Sequence, residues 1–84
     1  MNPEHLAEMA NDIANFFAAE PDREAAINGV SGHLKKFWDP RMRRQIVTYL
    51  REHGGGELSE LARAGVSRLA ELDAAATKAA GSTP

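Results

Sequence analysis

The side chains that could give this 84-residue chain a reaction of its own are few, and their spacing argues against one. His5, His33 and His53 fall in three different periodic segments, and none stands four residues from another, the spacing that would place two metal ligands on one helix face. With no cysteine there is no thiol nucleophile, no thiolate zinc site and no disulfide. Ser31, Thr48, Ser59 and Ser67 have no nucleophile-elbow context. Gly54-Gly55-Gly56 lacks the Lys-Ser/Thr of a phosphate loop and any preceding strand, so it reads as a connection between helices. Asp22 and Glu24 fall at a helix start, where the helix dipole favours carboxylates. The residues themselves therefore predict no catalytic, cofactor-binding or metal-binding site.

Chemistry of another kind is concentrated between His33 and Arg44. This stretch holds the only tryptophan and five of the ten Lys and Arg residues. Arg with Trp is the pairing enriched at interface hot spots, and Arg grips carboxylates through two parallel hydrogen bonds. Lys35, Lys36, Trp38, Arg41, Arg43 and Arg44 are the candidate partner-binding residues. Phe37, Asp39, Pro40 and Met42 are expected to shape the corner that presents them. Phe37 continues the apolar stripe before it and is expected to close the core, leaving Trp38 at the corner.

Charge is segregated along the chain. Residues 1–34 carry six acids and one base, whereas residues 35–54 carry six bases and two acids. A basic helix after a tight turn also suits a small nucleic-acid-binding regulator. Such a protein usually has a basic domain, and here the net charge is −2. A protein partner with an acidic surface fits this polarity better.

The elements that must position the corner are all helical. Leu6, Met9, Ala10, Ile13, Phe16 and Phe17 recur in steps of three and four, with Asn2 as cap and Pro3 at the first helical position. Glu20-Pro21-Asp22 breaks this helix, and Pro21 is expected to begin a second, striped by Ile27, Val30, Leu34 and Phe37. Gly29 and Gly32 interrupt it, either as weak spots on an exposed face or as places where another backbone comes close. Trp38-Asp39-Pro40 is the next corner, with Asp39 as cap and Pro40 as first residue of a third helix. Met42, Ile46, Tyr49, Leu50 and His53 stripe that helix, and the glycine run ends it. A fourth helix, capped by Ser59, carries Leu58, Leu61, Ala62, Gly65, Val66, Leu69 and Leu72. The prediction is an all-α bundle of about four short helices with an N-terminal αα-hairpin. Residues 1–72 form the domain, and residues 73–84 form an Ala-rich extension and a disordered tail from Gly81.

Size sets a limit on stability. Ala supplies 15 of the 36 apolar residues, so only 20 larger hydrophobes besides Met1 can build a core. Cores of this scale contribute roughly 3–5 kcal/mol, which makes a partner, or a homodimer when the partner is missing, a plausible source of further stability. There is no membrane-length apolar run and no secretory signal, and the expected location is the cytoplasm.

The segment His33-Leu34-Lys35-Lys36-Phe37-Trp38-Asp39-Pro40-Arg41-Met42-Arg43 resembles the signature of the delta subunit of soluble NAD-dependent formate dehydrogenase. Ile13-Ala14-Asn15-Phe16-Phe17, Pro21-Asp22-Arg23-Glu24-Ala25-Ala26 and the Leu58–Leu69 helix follow the same order as in that family, so the resemblance covers roughly residues 6 to 70. Glu60 departs from it, standing where many relatives have proline. The resemblance implies a complex that oxidises formate and reduces NAD. Its catalytic (alpha) subunit would hold molybdenum or tungsten on a bis-pterin guanine dinucleotide with iron–sulfur clusters, and other subunits FMN and the NAD site. It implies no redox group and no catalytic residue in this chain. The expected role is an accessory one, supporting assembly, cofactor maturation or stability of the catalytic subunit. The basic corner would dock on that subunit or grip a pterin pyrophosphate.

Overall fold

The computed structural model describes residues 2–81, with the side chains of residues 2–74. Four helices follow one another: α1 (Pro3–Phe17), α2 (Arg23–Phe37), α3 (Pro40–His53) and α4 (Glu60–Gly81), and no strand occurs among the described residues.

Each described helix start is made by the residue type that satisfies orphan backbone donors. Asn2 Oδ1 accepts from Glu4 N at 2.9 Å, and Pro3 opens α1. Asp39 Oδ1 accepts from Met42 N at 2.9 Å, with Pro40 next. Ser59 Oγ accepts from Ala62 N at 3.2 Å, over the buried Leu58. The start of α2 corrects the expectation. Asp22, not Pro21, sets it: Asp22 Oδ1 accepts from Glu24 N at 3.1 Å, and the helix begins at Arg23. Pro21 lies before the cap, because the carboxylate supplies the acceptor that the first turn needs.

α1 and α2 form the expected antiparallel hairpin, with Phe17 against Gly29 at its closed end. α4 is the central element and packs on the other three helices, most extensively on α2. Gly65 permits that approach, since a methyl group there would collide with Val30. The interior is made of Leu6, Val30, Leu34, Ile46, Val66 and Leu69, with Ala7, Ala10 and Ala62 letting the backbones close in.

The inward face of α1 is narrower than its apolar stripe. Leu6, Ala7, Ala10 and Ala14 are buried, Met9, Ile13 and Phe17 pack at the edge, and Phe16 is 77% exposed. The last helix also runs further than its large hydrophobes. α4 continues without interruption through residues 72–73 and includes Gly81, which was expected in the tail. Residues 82–84, the rest of that tail, lie outside the described residues.

The α3–α4 connection is tied down at several points. Gly54, Gly55 and Gly56 all adopt positive φ, at 64°, 93° and 39°. A side chain at Gly56 would also strike the Tyr49 hydroxyl. That hydroxyl accepts from Glu57 N at 3.2 Å. Asn11 of α1 clasps the same connection: its Nδ2 donates to Glu57 O at 2.9 Å and its Oδ1 accepts from Ser59 N at 2.8 Å.

Candidate functional site

The corner between α2 and α3 forms as a cap on each side of a two-residue bend. Trp38 is extended at φ −88° and ψ 139°, and its N–H still donates to Leu34 O at 3.0 Å. Asp39 then caps α3 and accepts from Arg43 N through its carbonyl oxygen at 3.1 Å. Asp39, Pro40 and Met42 thus take the positions expected of them.

The two aromatics exchange their expected places. Trp38 is buried at 6% exposure and Phe37 stands out at 65%. Helical spacing alone does not separate them: Trp38 lies four residues beyond Leu34, in line with Ile27 and Ser31, and Phe37 lies seven beyond the buried Val30, so both continue buried rows of α2. The Phe37 ring turns instead to His33. Trp38 is therefore a core residue and not part of an exposed docking patch.

Two of the expected docking cations are also engaged within the fold. Lys35 Nζ and Arg43 Nη1 reach the same carboxylate oxygen of Asp73, at 3.3 and 3.4 Å. The Arg43 side chain is only 17% exposed, because position 43 lies one turn before Ile46 on the inner side of α3. Asp73 thereby ties α2, α3 and α4 together. Its place beyond the last core leucine gave no sign of this role in the sequence.

What remains outside is Lys36, Arg41 and Arg44, with Arg51 further along α3. None of the four makes an ion pair among the described residues. By contrast, Arg23 binds Glu60 at 2.7 Å and Arg68 binds Glu24 at 3.1 Å, each linking α2 to α4. Lys36 lies over the Phe37 ring, 5.6 Å from its centroid.

A second exposed feature borders the corner. Ile13, Phe16 and Phe17 of α1 and His33 of α2 line an apolar cleft with Asp12 at its rim. His33 and Phe37 have their ring centroids 4.7 Å apart, which carries the aromatic surface on to the corner. Sequence periodicity assigned Phe16 and Phe37 to the core, so this surface was not foreseen.

Two further absences concern the described residues only. No group of three or more His, Cys, Asp or Glu side chains is placed to hold a metal ion. No helix is long and apolar enough to cross a membrane.

Neither the curated proteins nor the solved structures offer a match to this chain. The model of one family does match, over residues 5–66, a span that takes in α1 from His5 on, α2, the whole corner, α3, the glycine connection and the first turns of α4. The chain belongs to the family of the NADH-dependent formate dehydrogenase delta subunit, FdsD.

Proposed function

We infer that this protein is a non-catalytic accessory subunit that binds the catalytic subunit of a cytoplasmic NAD-dependent formate dehydrogenase and supports its assembly, cofactor maturation or stability. The observation that carries the reading is the family match, which spans the corner from end to end. The surface agrees with it. Phe37, Arg41 and Arg44 point outward at one corner with Lys36 beside them; arginine is enriched at interface hot spots and aromatic residues at interfaces. Trp38, Asp39 and Pro40 act from inside, fixing how that corner is presented. The redox groups, molybdenum or tungsten bis-pterin, iron–sulfur clusters and FMN, belong on this reading to the other subunits.

Coexpression of the catalytic subunit with and without this chain tests the role. The expected result is less cofactor-loaded catalytic subunit when the chain is omitted, read as metal content per polypeptide. Equal loading, yield and thermal stability in both preparations would contradict an accessory role.

A further inference from the structure

The exposed cations of α3 form a pattern with a direction. Arg41, Arg44, Thr48 and Arg51 follow one another at steps of three, four and three, which places them on one outward ridge of the helix. The ridge runs between two grooves. One is lined by Pro3, Gln45, Tyr49 and His53, the other by Val47 and Ala70. We propose that this ridge docks against a helix of the partner whose contacting face is acidic, with carboxylates at matching three- and four-residue steps. The identity of that partner as the catalytic subunit rests on the reading above; the ridge and the chemistry it takes do not.

Two observations say that the ridge is not there for the fold. First, Arg41 and Arg44 bind no acid among the described residues, although Arg23, Arg43 and Arg68 each do. Second, Arg41 stands at the wrong end of the helix. The first turn of α3 contains no acid and includes Arg41, facing the positive end of the helix dipole. Only Arg51, in the last turn, agrees with the dipole. A cation held against the helix field gains from a carboxylate brought from outside.

Charge also selects the occupant. A polyanion tracking the molecule would meet the six acids of residues 1–34, and the net charge is −2. The basic ridge is one helix wide, and it is bordered by Asp39 at its start, Glu52 in one groove and Asp73 in the other. A single acidic helix, lying along the ridge with flanking side chains in the grooves, satisfies both limits. This is the ridge-and-groove geometry of helix packing, with guanidinium forks suited to carboxylates.

Binding of the purified chain to the catalytic subunit tests this by surface plasmon resonance, using wild type, Arg41→Glu/Arg44→Glu and Arg41→Lys/Arg44→Lys. Charge reversal is expected to weaken binding about tenfold or more, with the lysine pair intermediate. The wild-type affinity should fall as salt is raised from about 0.05 to about 0.5 M, as screening shortens the reach of the charges. The single variant Arg41→Glu should keep or raise the melting temperature of the isolated chain while weakening association, so lost binding is not lost folding. Wild-type binding that the reversed pair matches would overturn the ridge and leave the accessory reading standing. No wild-type binding at all would remove the accessory reading and the partner with it. Tight binding instead to a DNA duplex of about 20 base pairs, abolished by the same reversal, would overturn the acidic-helix occupant.

Discussion

Arg41 and Trp38, three residues apart, do opposite things. Trp38 faces inward and Arg41 faces solvent at the positive end of α3. Truncating a buried tryptophan removes its transfer energy and leaves a cavity, so Trp38→Ala should cost about 3–5 kcal/mol. Phe37→Ala, on the exposed side, should stay within about 0.5 kcal/mol. Urea unfolding of both variants checks the pair, and equal losses would contradict the assignment of the two rings. Each charge beside a helix end is worth about 0.3–1 kcal/mol, so Arg41→Glu should gain up to about 1–2 kcal/mol for the isolated chain. At this scale the sequence showed residue types but not always their direction. Asp39 and Pro40 were legible because capping and proline chemistry are local. Phe37 and Trp38 were not, because adjacent aromatics both fit a stripe of mixed three- and four-residue steps. Arg43 and Lys35 were read as free because their partner, Asp73, is some thirty to forty positions away.

Among the elements, contact between α2 and α4 depends on Gly65 lying against Val30. Gly65→Ala should therefore destabilise by about 1–3 kcal/mol through overpacking, despite the better helix propensity of alanine. Gly32 has nothing within 4 Å of an added methyl group, so Gly32→Ala should stabilise by about 0.5–1 kcal/mol. Thermal unfolding of the two variants should move in opposite directions. The sequence offered both readings for glycines within a helix. The bland one holds at Gly32. Gly29, overlain by the Phe17 ring, fits the closer one in part, since a side chain and not a backbone approaches it. All four helices were legible from period and breakers, and the start of α2 was misplaced by two residues because Pro21 and Asp22 both carry start signals. The clasp of Asn11 on the α3–α4 connection was hidden, since its backbone partners Glu57 and Ser59 advertise nothing in sequence. Asn11→Ala should cost about 1–3 kcal/mol by leaving that connection unbound.

The whole molecule puts structural and interaction chemistry in different places. Ion pairs between α2 and α4, and the shared Asp73 junction, spend several cations on holding the bundle. The α3 ridge and the Phe16–His33–Phe37 surface are left outward, with nothing among the described residues covering them. The all-α class and the family were legible in the sequence, the first from periodicity and the second from the Phe37–Met42 corner. The packing of α4 as the central helix depended on small residues whose meaning appears only when the neighbour is seen. The most direct test of the account is a tagged pull-down of the chain from a lysate of its native organism, with mass spectrometry of what accompanies it. The account predicts recovery of a large formate dehydrogenase subunit, diminished when Arg41 and Arg44 are both replaced by Glu. Recovery of the chain alone, or with nucleic acid that salt removes, would contradict it.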